Sequence, residues 1–151
     1  RPARASIKGN GDESEEVDMP DGKKEVVHSY GWYLRNYVTD AKTAGANVVI
    51  VSPIPKRGFI SGKARRDGGA YAGCAKDAAS QAGVSFLDLS SIIADKQDAM
   101  GEAAAKALYN DNVHTTPAGA ELNAGCVVAG LRAFSDCEIK LYLLPEGGPK
   151  K

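Results

Sequence analysis

Two short apolar runs, each preceded and followed by a helical pattern, constrain the fold of this chain most strongly. They are Ala46 to Ile54 (ANVVIVSPI) and Val84 to Leu89 (VSFLDL). Both runs are too short for a typical helix, and both are bounded by Gly or Pro or by the start of a helical pattern. Runs that are apolar on both faces are typical of parallel strands covered by helices on each side. The sequence therefore predicts an α/β fold with a parallel sheet.

Helical spacing of apolar residues surrounds these two strands. The first helix is predicted from about Ser29, with Gly45 as its C-terminal stop. The remaining helices are predicted over residues 70–82, 91–100, 102–108 and 117–134. In the last of these, Thr116 is a good N-cap and Pro117 a good first helical residue. Ile139 to Leu144 is expected to form a terminal strand or a packing tail.

The two ends of the chain differ in composition from its middle. Residues 1–28 are poor in apolar side chains and contain turn signals such as Gly9-Asn10-Gly11-Asp12, so they are predicted to be an irregular exposed segment. Residues 29–144 are predicted to form one domain, and residues 145–151 a disordered tail. Because two strong strands make a small sheet, the domain is expected to be N-terminally incomplete.

Composition excludes several partner classes. Lys plus Arg and Asp plus Glu are equal at 19 each, so the charge indicates no binding of nucleic acid. No apolar run approaches the roughly 18 residues of a membrane span, so no membrane partner is expected. The three cysteines form no C-x-x-C pair, which argues against zinc. Cys126 and Cys137 could form a disulfide in an oxidising compartment, or both could be free thiols.

Asp111 and His114 are the residues most suited to chemistry. A carboxylate three residues before an imidazole can curl back and accept the Nδ1 proton, which leaves Nε2 available as a base. Pro117 stiffens the chain after this pair. The spacing alone also fits an Asp–His hydrogen bond that stabilises a surface loop. A metal site would need further ligands, and the spacing of Asp21, Glu25 and His28 does not supply them.

The stretch that contains this pair resembles a known family. Tyr109 to Ala124 (YNDNVHTTPAGAELNA) is similar to the last conserved block of the SGNH (GDSL-like) hydrolases, and most similar to their rhamnogalacturonan acetylesterase branch, carbohydrate esterase family twelve. Tyr30 to Phe59 (YGWYLRNYVTDAKTAGANVVIVSPIPKRGF) resembles a helix and strand of that family. Ala82 to Ile93 (AGVSFLDLSSII) resembles its next strand and helix. The resemblance covers about residues 30–144.

The resemblance implies a fold and a function. The implied fold is a three-layer α/β/α, flavodoxin-like parallel sheet, of which residues 29–144 would be the C-terminal part. The implied activity is that of a serine esterase that removes acetyl groups from plant cell-wall polysaccharide, with His114 as general base, Asp111 as its orienting carboxylate, and no cofactor. Its partner would be an acetylated polysaccharide or oligosaccharide, met in an extracellular or periplasmic location.

The sequence departs from the family in its upstream blocks. The G-D-S block, the Gly block and the G-x-N-D block are absent; Gly11-Asp12-Glu13-Ser14 places its serine one position late, with no strand before it. The nucleophile and the oxyanion donors are therefore expected in a missing N-terminal half of the same domain, and the 151-residue chain alone is expected to be inactive.

A basic loop follows the first predicted strand. Such loops border the ligand crevice of parallel α/β sheets. Lys56, Arg57 and Arg65 are therefore candidates for binding an acidic sugar polymer, although a solvated loop would show the same charges. The alternative function is a non-catalytic α/β domain, or a degenerate relative of the family, that binds a glycan or a protein partner.

Overall fold

The computed structural model describes residues 6–66, 70–135 and 137–145, and these residues form a mixed α/β structure. The strands are β1 (Ser14–Asp18), β2 (Lys24–His28), β3 (Val49–Val51), β4 (Phe59–Ile60), β5 (Lys63–Ala64) and β6 (Ser85–Leu87). The helices are α1 (Tyr30–Thr43), α2 (Ala70–Ala82), α3 (Leu89–Met100), α4 (Glu102–Lys106), α5 (Pro117–Ala133) and a 3-10 helix at Glu138–Tyr142. The chain divides into a first unit, within Arg1–Pro55 and Arg66–Ser90, and a second unit, within Lys56–Arg65 and Ser91–Lys151.

The two predicted strands pair in parallel in the first unit. Ile50 of β3 lies opposite Phe86 of β6. Both strands are shorter than the apolar runs that predicted them. One further hydrogen bond, from the Ser52 N–H to the Leu87 carbonyl at 2.9 Å, extends the pairing. Pro53 then follows, and because proline has no N–H the ladder cannot continue.

The core of the first unit lies between this sheet and two helices. Its buried residues are Val38 of α1, Ile50 of β3, and Ala75 and Ala79 of α2. Ala75 and Ala79 are four residues apart, so they lie on the same face of α2. Both are fully buried, and their small side chains allow α1 and α2 to pack closely. The predicted bounds of α1 and α2 are confirmed, and Gly45 follows α1 with a φ of +80°.

The prediction of an irregular segment over residues 1–28 is wrong for the part that the structure describes. β1 and β2 form an antiparallel hairpin in which Ser14 lies opposite His28 and Asp18 lies opposite Lys24. The two strands were not predicted because they are rich in Glu, Asp and Lys, which have low β-propensity. Most residues of the hairpin are exposed to solvent, as predicted, although Val27 is buried.

The loop before the hairpin is held on the N-terminal end of α1. Arg35 of α1 donates to the Asn10 carbonyl and, at 2.8 Å, to the Asp12 carboxylate. The Ser29 hydroxyl donates to the Gly11 carbonyl at 2.6 Å and caps α1 by accepting from the Trp32 N–H at 3.0 Å. The contacts that hold this loop thus come from the N-cap and the first two turns of α1.

Gly31 allows that close approach. A Cβ added at Gly31 would overlap the Asn10 side-chain oxygen and lie 2.7 Å from the Asn10 Cα. Because the second atom belongs to the backbone, the overlap cannot be relieved by a side-chain rotation. Gly31 is thus required by packing, although it lies inside a helix, where glycine itself is unfavourable.

In the second unit, most helix predictions are confirmed. α5 begins at Pro117, with the Thr116 hydroxyl accepting from the Gly119 N–H at 3.2 Å. α3 and α4 are separated at Gly101, whose φ is +83°. None of the helices in the described residues combines the length and apolar character that a membrane span requires.

Of the two alternatives at Ile139 to Leu144, the terminal strand is wrong, whereas a packing tail agrees with the contacts that this segment makes with α5. Glu138–Tyr142 is a 3-10 helix, and Leu141 and Tyr142 are 84% and 83% exposed. This short segment pairs with no strand in the described residues, so its backbone is bonded locally instead. Residues 146–151 of the predicted disordered tail lie outside the described residues.

We expect Gly31→Ala to destabilise the first unit by about 1–3 kcal/mol, because the added methyl group meets fixed backbone. Gly73 in α2 is the matched control: a Cβ there meets no described atom within 4 Å. Gly73→Ala should stabilise by up to about 1 kcal/mol, since alanine favours the helix. Urea unfolding followed by the fluorescence of Trp32, the single tryptophan, measures both effects. Equal stability of the two variants would contradict the packing account.

Candidate active site

Asp111 and His114 lie in a closed loop between α4 and α5, in the second unit. Tyr109 and Thr115 form an antiparallel bridge at the base of the loop. Inside this bridge the Asn110 N–H donates to the His114 carbonyl at 2.8 Å. We call residues Tyr109 to Thr115 the dyad loop. These backbone hydrogen bonds close the short stretch of chain that carries the two functional side chains.

Neighbouring helices hold the base of the dyad loop. The Thr116 N–H donates to the Leu108 carbonyl at 2.9 Å, and that carbonyl lies directly on Gly119 of α5, where a Cβ would overlap it. From α3, the Gln97 amide donates to the Tyr109 hydroxyl at 2.9 Å. Gln97 and Tyr109 are 2% and 6% exposed, so this hydrogen bond is shielded from water. The loop is anchored at both ends on secondary structure.

The Asp111 carboxylate makes the contacts that define the site. Its Oδ1 accepts from the Val113 N–H at 2.7 Å and from the His114 N–H at 2.7 Å. Its Oδ2 lies 2.7 Å from the Nδ1 of His114. The predicted Asp111–His114 hydrogen bond is thus confirmed. Since an ionised carboxylate only accepts, Nδ1 carries the proton, and in the neutral ring Nε2 is an acceptor.

These donors also determine the charge of Asp111. The backbone N–H of His114, then its ring, then the backbone N–H of Val113 hold the pKa of Asp111 well below its ordinary value of 3.8. Asp111 is therefore ionised at neutral pH. The side chains of Asp111 and His114 are 56% and 79% exposed, so the imidazole is accessible from solvent. An accessible base with a fixed tautomer can take a proton from a hydroxyl group placed beside it.

The predicted basic loop contacts the dyad loop through its backbone. β4 and β5 pair as a short antiparallel ribbon, and we call residues 56–65 the basic ribbon. The Arg57 N–H donates to the Asn112 carbonyl at 3.0 Å. Lys56 and Arg57 are exposed, whereas Arg65 is half-buried. The structure thus brings the ribbon next to the dyad loop, and the predicted role of Lys56, Arg57 and Arg65 in substrate binding stays a prediction.

Comparison with known proteins finds a similar curated protein and a similar solved structure. A curated rhamnogalacturonan acetylesterase from Emericella nidulans is 31% identical over 122 residues, which cover 80% of this chain and 49% of that protein. A solved structure, protein YxiM from Bacillus subtilis, has a TM-score of 0.64 at 23% identity over 68% of this chain and 30% of that chain, and shows the same fold. No protein-family model matches. Over four fifths of its length the chain is therefore similar to a rhamnogalacturonan acetylesterase, and its fold is that of the SGNH hydrolases.

This chain spans about half the length of its curated relative, the acetylesterase. The α/β fold of the SGNH hydrolases, predicted from the sequence, is confirmed by the similarity to YxiM. Ser14, the serine of the GDES stretch, opens the exposed strand β1 and pairs with His28. It is not on the sharp strand-to-helix turn that suits a hydrolase nucleophile.

The possible disulfide between Cys126 and Cys137 is not formed in the structure, where the three cysteines are free thiols. Cys126 is buried within α5, and this burial raises the pKa of its thiol. Cys137 is half-buried and lies beyond the end of the helix. Of the two alternatives that the sequence left open, the structure shows free thiols. Among the described residues, no group of His, Cys, Asp and Glu side chains is arranged to hold a metal ion.

Three positions that support the site were missed from the sequence. Gln97 and Asp98 are polar residues on largely buried parts of α3, and Gly119 is a glycine in the first turn of α5. Gln97 and Asp98 follow the buried Ile93 and Ala94 by four residues each, and polar residues on that apolar face of α3 are the signal that could have indicated them. Nothing in the local pattern distinguishes Gly119 from Gly125, since both lie in α5.

We expect the Asp111 side chain to titrate with a midpoint below 3.8, because folding adds three donors to its ionised form. A depressed native pKa stabilises the folded loop at pH values above the unfolded pKa, and this contribution is lost as the pH falls through the native pKa. The measurement is the carboxyl carbon shift of Asp111 by NMR between pH 2 and 7, roughly the range over which carboxyl groups titrate. A midpoint at or above 3.8 would contradict the geometry.

Proposed function

We propose that this chain is the C-terminal part of an SGNH serine esterase that removes acetyl groups from a plant cell-wall polysaccharide of the rhamnogalacturonan type. The observation that carries the proposal is the 2.7 Å bond between Asp111 and the His114 Nδ1, in a chain that is 31% identical to a rhamnogalacturonan acetylesterase. The pair has the geometry of the base and the orienting acid of a catalytic triad.

The reaction follows from the state of His114. As a serine hydroxyl adds to the ester carbonyl, the Nε2 of His114 takes its proton, and the ionised Asp111 stabilises the imidazolium. The tetrahedral intermediate then expels the sugar oxygen, which receives this proton, and an acetyl-serine remains. Water attacks the acetyl-serine with His114 again as base, which releases acetate and restores the serine. Each proton moves between His114 and a reacting oxygen, so the sequence of steps calls for no cofactor.

The serine and the oxyanion donors belong, in this proposal, to an N-terminal half of the same domain. Two observations support this placement. The chain aligns with about half of its curated relative. Ser14, the serine within the GDES stretch, lies on the exposed hairpin strand β1. In this respect the N-terminal half is the partner that completes the active site.

The basic ribbon suits an acidic polymer. Lys56 and Arg57 are exposed, and the hydrogen bond from the Arg57 backbone to Asn112 places this part of the ribbon beside the dyad loop. Positive side chains attract the carboxylates of uronic acids and orient the polymer on the surface. An acetylated polysaccharide of this kind lies outside cells, so we expect the protein to act in the extracellular space or the periplasm.

We expect His114→Ala, in a polypeptide extended upstream to include a G-D-S block, to lower kcat for acetate release from acetylated rhamnogalacturonan by about 10³-fold or more. Asp111→Asn should lower kcat somewhat less, because His114 loses the negative charge beside Nδ1 but the imidazole itself remains. His28→Ala, at the other histidine, should stay within about threefold. Near-native turnover in the His114 variant would exclude a catalytic role and favour a non-catalytic protein that binds a glycan or a protein partner.

The 151-residue chain itself should show no measurable hydrolysis of an acetyl ester, because the proposal places the nucleophilic serine in the upstream half of the domain. The matched variant is Ser14→Ala. If the unmodified chain hydrolyses the ester and Ser14→Ala abolishes this activity, Ser14 is the nucleophile. That result would contradict the placement of the serine in an upstream half.

A further inference from the structure

Two consecutive side chains of α3 hold the two loops of the candidate site. Gln97 donates to Tyr109 at the base of the dyad loop. The next residue, Asp98, accepts from the Ala64 N–H of the basic ribbon at 2.7 Å. Both side chains are removed from solvent: Gln97 is 2% exposed, and the Asp98 side chain is 11% exposed. Buried polar groups on one helix thus reach both loops of the second unit.

The hydrogen bond from Ala64 is stronger than the ion pair between Asp98 and Lys63 of the ribbon. Ala64 is 4% exposed, so its N–H and the carboxylate are both shielded from water. Lys63 also lies 3.7 Å from Asp98, but its side chain is 73% exposed. An exposed ion pair at that distance contributes little, whereas a hydrogen bond to an ionised acceptor away from water contributes more. The Asp98 side chain therefore holds the ribbon through the ribbon's backbone.

The ribbon needs such support. Each strand has two residues, and Ser61 and Gly62 between them have positive φ values of 51° and 75°. This geometry is that of a tight two-residue hairpin turn. A hairpin of this size is not stable alone in water. It is held on one side by Asp98, and on the other the Arg57 N–H donates to Asn112 of the dyad loop.

We propose that Asp98 is a positioning residue: it holds the basic ribbon against the dyad loop and so determines where the positive charges of Lys56 and Arg57 lie relative to His114. The hydrogen bond between Asp98 and the ribbon can be tested without any reaction. Its effect on substrate binding rests on the proposed function.

The structural part is tested on the 151-residue chain by amide hydrogen exchange. Asp98→Ala should speed exchange of the Ala64 and Arg57 amides by about tenfold or more, since both lose a fixed position, while α5 amides are unchanged. Asp98→Asn, which keeps an acceptor oxygen, should restore most of the protection. Lys63→Ala is the control for the ion pair and should leave both amides protected. Faster exchange at Ala64 but not at Arg57, or an equal increase throughout α5, would overturn the proposal.

A second measurement covers the case in which Asp98→Ala does not fold. In the unchanged chain, exchange in low denaturant should show that the Ala64 and Arg57 amides open together, with the same denaturant dependence. Separate openings of these two amides would overturn the proposal, because the ribbon would not be held as one piece.

The functional part is tested in the upstream-extended polypeptide. Asp98→Ala should raise KM for acetylated rhamnogalacturonan by about tenfold, and leave kcat for p-nitrophenyl acetate, a small neutral ester, within about threefold. Asp98→Asn should recover most of the loss. Equal losses on the two substrates would overturn the positioning role. Because the exchange measurements need no turnover, failure of the proposed esterase function would be seen separately, as an absence of activity in the unmodified polypeptide.

Discussion

Asp111 accepts hydrogen bonds from the Val113 N–H, the His114 N–H and the His114 ring, all at 2.7 Å. A single carboxylate thereby fixes the turn of the backbone and the tautomer of the imidazole together. The same donors lower the pKa of Asp111, which keeps the negative charge beside the ring at neutral pH. These contacts lie within four residues, so the candidate site is determined locally before any packing is considered.

The surrounding structure determines where this local arrangement sits. Gly119 lets the Leu108 carbonyl lie against α5, and the buried Gln97 holds Tyr109. The basic ribbon adds a third contact, from the Arg57 N–H to the Asn112 carbonyl. A loop of this size would otherwise sample many conformations, and buried contacts at its base offset the entropy of ordering it. Catalytic side chains held by rigid neighbours are typical of active sites built on loops.

Much of this could be predicted from the sequence, and two of the failures have related causes. Helical spacing of apolar residues identified α1 and α2, continuous apolar runs identified both parallel strands, and the Thr116-Pro117 cap identified the start of α5. The spacing of Asp111 and His114 indicated their hydrogen bond. The hairpin β1–β2 was missed because its strands are mostly polar and exposed, and their pairing depends on backbone hydrogen bonds that leave no apolar pattern. Asp98 was missed for a related reason, since its partner is a backbone N–H distant in sequence.

The central claim is that Asp111 holds His114 with Nδ1 protonated and Nε2 available as the base. A long-range proton–nitrogen NMR spectrum of the imidazole rings at neutral to alkaline pH measures this most directly, and the chain has two histidines to assign. The account predicts that neutral His114 carries its proton on Nδ1, and that Asp111→Ala shifts the ring towards the mixture of tautomers found in an exposed imidazole. A neutral His114 protonated mainly on Nε2, or a tautomer unchanged by Asp111→Ala, would contradict it.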